Sequence, residues 1–245
     1  MVRNLLVRGM LCGLLAGLVG GIVAKLFGEG AVGKAILFES HHEHADDHAK
    51  EIVSRSVQST WGLFTGMILF GIAVGGLFAL AYACAQGRLG RLGAQATALL
   101  VAAGAFVGLY FAPILKYPAN PPSVGNPDTI GRRTALYFCM VAVAVITVIS
   151  VFVASQQLAE RFGRWNANVI ALLGGVVVVG ISYLVLPDVH EVPHDFPADV
   201  LWDFRIASLG IQAAVWLTIG LLFGYLTERS LRAPAAPSAR ENVGV

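Results

Sequence analysis

The chain has 245 residues, 56% of them hydrophobic and 13% charged, with a mean hydropathy of +0.71 and a formal net charge of +2. A soluble domain carries about a quarter charged residues, so the composition excludes an ordinary water-soluble globule and points to lipid as the solvent. The small net charge and the lack of any basic stripe exclude nucleic acid as a partner.

Six apolar runs are long enough to cross a bilayer core as helices: 9–27, 61–85, 94–115, 135–158, 167–186 and 206–227. Backbone amides need partners inside lipid, so these runs predict helices. The short alternating segments of a β-barrel are absent. The first run follows Arg3 and Arg8 and could pass for a signal peptide. It is long for one, and no clear small-x-small cleavage site follows, so it is read as the first transmembrane helix. The expected fold is all-α and polytopic, a six-helix domain over 1–232 with a long His/acid-rich outer loop at 28–60. An Ala/Pro-rich tail, 233–245, is expected to be disordered and cytoplasmic.

Six spans place both termini on one side. With the N-terminus cytoplasmic, nine Lys/Arg fall in short inner segments and twelve of the fifteen acids fall outside. Basic density then favours N-in, C-in, and every histidine lies outside. Helices two, four and six each enter after an arginine (Arg55, Arg133, Arg205) and leave through an R-x-x-R pair (Arg88/Arg91, Arg161/Arg164, Arg229/Arg232). This spacing suggests one helical hairpin used three times; simple headgroup anchoring explains the same arginines.

Gly9, Gly13, Gly17 and Gly21 form one smooth stripe along helix one. Gly62/Gly66, Gly71/Gly75, Gly104/Gly108 and Gly220/Gly224 repeat the small-xxx-small spacing. Such stripes let helix backbones approach closely in lipid, so helix one is expected to be a tightly packed interior helix or the surface that receives a partner helix. Cys12, Cys84 and Cys139 match no zinc or disulfide spacing and are expected to be buried small residues.

Chemistry-bearing residues gather in two loops. The run 39–48 holds His41, His42, His44 and His48 with Glu43, Asp46 and Asp47. Pairs three and four apart share a helix face, and imidazole with carboxylate suits divalent transition metals. Without a thiolate such a cluster binds weakly and exchanges quickly, as a collecting station would. A solvated acidic loop with titrating histidines is the plainer reading. The last outer loop holds His190 and His194, where Pro193 and Pro197 oppose a continuous helix, among Asp188, Glu191, Asp195, Asp199 and Asp203. The expected metal contacts are His41, His42, His44, His48, Asp47, His190 and His194. Between helices three and four, 116–128 carries four prolines and reads as a rigid turn or a re-entrant segment lining a polar cavity. No Asp, Glu or His falls in the middle of a span; Gln156, Asn168, Ser182 and Gln212 are the strongest polar groups there. No P-loop, H-E-x-x-H or nucleophile elbow is present, so the chain is read as a non-enzyme.

With these residues in view, the sequence resembles the CbtA family of proposed cobalt transporter subunits. The likeness is carried by the arginine-led, glycine-rich first helix ending in Leu26-Phe27-Gly28-Glu29 and the His/acid loop after it. It is also carried by Arg88-Leu89-Gly90-Arg91-Leu92, by Lys116-Tyr117-Pro118-Ala119-Asn120-Pro121-Pro122 with 131–137, and by Leu201-Trp202-Asp203-Phe204-Arg205 with 207–210. The resemblance implies a multi-pass protein of the bacterial inner membrane, tied to cobalamin synthesis, working with a small single-span, His-rich partner of CbtB type. The expected function is a subunit of a divalent-metal uptake system that collects Co²⁺ (or Ni²⁺/Zn²⁺) as a transient substrate and passes it through the bundle. No tightly bound cofactor is expected; lipid is the surrounding partner and a homo-oligomer is open. The alternative is a non-transporting scaffold or metal-responsive partner subunit.

Overall fold

The computed structural model describes residues 2–42, 53–90, 92–122 and 124–232; for His41, His42 and Pro127 it describes the backbone alone. Among the described residues all regular structure is helical. Helix α1 runs through Val2–Val23, a π-helical turn at Ala24–Gly28, and Glu29–His42. Helix α2 spans Arg55–Ala85 and α3 spans Ala94–Lys116, each with one π-helical turn, at Gln58–Gly62 and Val107–Phe111. Ile130–Val185 is a 56-residue helical stretch broken at Gly163, which we number α4 (130–162) and α5 (164–185). Helix α6 is Ala198–Arg232. Among the described residues five continuous helical stretches are thus long and apolar enough to cross a membrane, and the fourth and fifth predicted runs share one of them.

Gly163 explains that sharing. A straight 56-residue helix would be about 84 Å long, nearly three times a bilayer core of about 30 Å. At φ 75°, ψ 158° Gly163 adopts a backbone that is essentially glycine-only, and the chain reverses there. Gly175 of α5 packs on Thr147 and Val151 of α4, and Met140 and Ala144 cluster with Val179 and Tyr183. The two halves therefore form an antiparallel hairpin.

The remaining helices make a separate body. The stripe of α1 lies directly on α2: a β-carbon at Gly13 would collide with the Gly71 carbonyl, one at Gly9 with the Gly75 carbonyl, and one at Gly17 with the Met67 carbonyl. The glycine face of helix one is thus tightly packed within the chain, while Leu11, Leu15 and Ile22 on its other face are exposed. Helix α6 crosses the same core, with Gly220 against Ala102 and Gly224 against Gln95 of α3. Phe78, Tyr82 and Phe223 pack edge-to-face at its centre, with Cys12, Ala98, Val215 and Ile219 around them. The α4–α5 hairpin docks on the C-terminal half of α3, where Gly108 meets Val145.

Some expectations change. Helix α6 lies against α1 and α3, and α5 folds onto α4, so the expected third hairpin, between the fifth and sixth helices, is not a packed pair. Of the cysteines only Cys12 is buried; Cys84 and Cys139 are exposed on the apolar outside of the bundle, where a hydrophobic residue meets lipid rather than core. The expected loop 28–60 is helical at both described ends. Ala31, Ala35 and Phe38 give the extension of α1 an apolar face that packs on Val200 of α6 and Phe196. The 233–245 tail lies outside the described residues.

Candidate functional site

Antiparallel packing brings one set of helix ends together: the C-terminal ends of α1, α3 and α5 and the N-terminal starts of α2, α4 and α6. We call this the upper end. Each predicted entry arginine is spent there on a neighbouring segment. Arg55 Nη2 donates to Glu29 Oε2 at 2.7 Å, tying α2 to α1. Arg133 Nε lies 3.0 Å from Glu191 Oε2, tying α4 to the α5–α6 loop. Arg205 donates from Nε to the Ala119 carbonyl at 3.2 Å and from Nη2 to Asn120 Oδ1 at 3.1 Å. These are ties within the protein, where the sequence suggested headgroup anchors or marks of a repeat.

The irregular 116–128 segment is held from several sides. Lys116 pairs with Asp188, and the buried Tyr117 donates its hydroxyl to the Pro187 carbonyl at 2.8 Å. Glu191 accepts from the Thr129 hydroxyl at 2.6 Å and the Asn126 amide at 3.0 Å. Gly125, at φ 127°, leaves room for the Arg133 guanidinium, into which a β-carbon would project. The hydrogen bond and charge of Lys116 hold the Asp188 carboxyl below the usual carboxylate range. The Thr129 hydroxyl, followed by the Asn126 amide and Arg133, does the same for Glu191.

Under these ties lies a cavity of about 350 Å³ lined by Tyr117, Asn120, Arg133, Thr134, Tyr137 and Arg205, with Val189 and Val192 on one wall. Segments 116–122, 131–137 and 201–205, far apart in sequence, meet at it. The first and last are joined by Arg205. No sequence signal short of knowing the packing could have shown this meeting, because each segment alone reads as a helix end or turn.

The predicted metal contacts are distributed as follows. His41 and His42 close the described part of α1; His44, Asp47 and His48 lie outside the described residues. His190 and His194 are exposed in the α5–α6 loop. The two regions lie close, because Phe38 packs edge-to-face on Phe196 at 5.0 Å between ring centroids. Among the described residues no three His, Cys, Asp or Glu side chains gather closely enough to hold a metal ion. Of the acids in this loop, Asp188 and Glu191 are engaged by Lys116 and Arg133.

At the lower end Arg8 donates to Thr227 Oγ1 at 2.9 Å, and the Ala94 amide at the start of α3 donates to Glu228 Oε2 at 3.1 Å. A carboxylate there satisfies one of the unpaired amides of a helix start. Beside it, between α3 and the hairpin, lies a larger cavity of about 670 Å³. Its polar lining is Ser155, Gln156, Arg164 and Asn168, so two of the four expected intramembrane polar groups do share one space. Ser182 instead bonds within its own helix, donating to the Val178 carbonyl.

No curated protein and no solved structure shows significant similarity to this chain. Residues 2–228 match the family described as Probable cobalt transporter subunit (CbtA). The match takes in both helical bodies and the upper-end segments that meet at the cavity, and the chain belongs to the CbtA family.

Proposed function

We propose that this chain is the membrane-embedded subunit of a divalent transition-metal uptake system whose cargo is Co²⁺. It crosses a bacterial inner membrane six times, α4 and α5 being separate crossings, with both termini cytoplasmic and the upper end outside. His41, His42, His44, His48 and Asp47, with His190 and His194, collect the ion as exchangeable ligands, and a small single-span His-rich subunit of CbtB type hands it over or receives it. The observation that carries this reading is the Phe38–Phe196 contact. It supports one collecting surface, because the His-rich run continues from α1 three residues after Phe38 while His194 lies two residues before Phe196.

The inward route we propose follows the seam between α3 and the α4–α5 hairpin. The four-helix body is closed by backbone contact along its glycines, whereas the seam holds the larger cavity with Ser155, Gln156 and Asn168, and with the cationic Arg164 beside them. Neutral oxygens and nitrogens there would replace part of an ion's water shell without trapping it. Uptake of labelled cobalt into cells expressing the chain with its partner tests both parts. Changing all six histidines to alanine should raise the half-saturating cobalt concentration about tenfold or more, while Gln156→Leu with Asn168→Leu should lower the maximal rate. Unchanged uptake in both variants would sink this reading.

A scaffold or metal-responsive subunit is the second reading, favoured by the bare apolar face of α5, where Leu172, Val176 and Leu184 are 60%, 61% and 87% exposed. Such a face suits another subunit as well as lipid. This reading predicts no cobalt uptake with any partner, and loss of the partner in pull-down when Val176 is changed to Trp.

A further inference from the structure

The charges around the upper cavity do not suit a cation. Arg133 is balanced by Glu191 at 3.0 Å, and Lys116, beside the cavity, is balanced by Asp188. Arg132 acts on Glu191 from nearby and adds further positive potential. Among the described residues Arg205 meets neutral acceptors alone, the Ala119 carbonyl and Asn120 Oδ1. The acid two residues before it, Asp203, lines a different cavity with Lys34 on the α1 side. A guanidinium has five N–H donors, and Arg205 spends two on those acceptors. Three are left unspent by these bonds on a residue that lines the cavity, and Thr134 lines it too.

From this we propose that the cavity binds a phosphate-type oxyanion on Arg205, with Thr134 as an additional donor. Two of the other polar walls are already committed, since the hydroxyls of Tyr117 and Tyr137 donate to the Pro187 and Leu109 carbonyls, whereas the buried Arg133 Nε on the same wall has no hydrogen-bond partner among the described residues. The oxyanion supplies the negative charge that Arg205 lacks, and the guanidinium fork matches two oxygens of a phosphate at once. At about 350 Å³ the space falls within the range of small-ligand sites and exceeds what a bare ion fills, so it also admits the headgroup of an anionic lipid. The inference stands apart from the cobalt reading, because it requires no metal.

Asn120→Asp is the decisive variant. It keeps the shape and the hydrogen bond to Arg205, and it places a carboxylate where the anion's charge is needed; Arg205→Gln removes the charge itself. Inorganic phosphate is titrated calorimetrically into the full chain in a sugar-headed detergent at constant ionic strength. Retention of phosphatidylglycerol against phosphatidylcholine is read by native mass spectrometry. Saturable phosphate binding by the wild type, weakened about tenfold or more in Asn120→Asp, supports the site with a free ion as ligand. Phosphatidylglycerol preference alone, lost in Asn120→Asp, supports it with a lipid headgroup. The proposal is overturned if the wild type shows neither, or if binding persists unchanged in both variants.

Discussion

At the scale of single residues, the upper end depends on charged side chains tied to specific acceptors. A carboxyl held below its ordinary value contributes stability above its unfolded value and loses that contribution as pH falls through the folded one. Asp188 and Glu191 are both lowered, so their ties are intact at neutral pH and weaken below about pH 4. Amide protection factors in 117–129 and 187–192, taken against the intrinsic exchange rate at each pH, should therefore fall between about pH 5 and about pH 3. Glu191→Gln should lower them already at pH 7, because Arg133 loses its counter-charge. Identical protection for the two proteins across that range would show that the pair holds nothing. Gly125→Ala should have a similar local effect, since its β-carbon would displace the Arg133 guanidinium.

At the scale of elements, glycines in the same spacing behave differently according to what faces them. Gly13→Leu drives a side chain into the α2 backbone and should cost at least about 3 kcal/mol, since a backbone cannot yield as a side chain does. Gly66 has nothing within 4 Å of an added β-carbon. Gly66→Ala should be neutral or stabilising by about 0.5–1 kcal/mol, the ordinary gain of alanine in a helix interior. Unfolding in mixed micelles measures both, and equal effects would contradict the packing described for α1. At Gly163 the backbone is the constraint: with φ 75° and ψ 158°, Gly163→Val should cost about 1–3 kcal/mol. The cost should appear as looser packing of α5 on α4, read by disulfide trapping between cysteines placed at 147 and 175.

At the scale of the whole molecule, two helical bodies share one upper end, and the proposed collecting role requires that end to face outside. Cysteines placed at 190 and at 36, in a cysteine-free background, should both react with an impermeant maleimide on intact cells, while one placed at 230 should not. Reaction at only one of the first two would separate the histidine-bearing regions and end the collecting hypothesis.

Much of this protein was legible in one dimension. Composition and run length determined that it is helical and multi-pass, because a bilayer forces backbone satisfaction within each span. The glycine stripe of helix one announced close packing, because a four-residue period keeps one face smooth. The partner of that stripe, the reversal at Gly163 and the pairing of α6 with α3 were decided only in three dimensions. Each depends on which of several equally apolar faces meet, and apolar sequence does not distinguish among them. The entry arginines could be read from the sequence as a pattern, but their acceptors lie 26, 58 and 86 residues away. The upper cavity exists only because packing closes those distances.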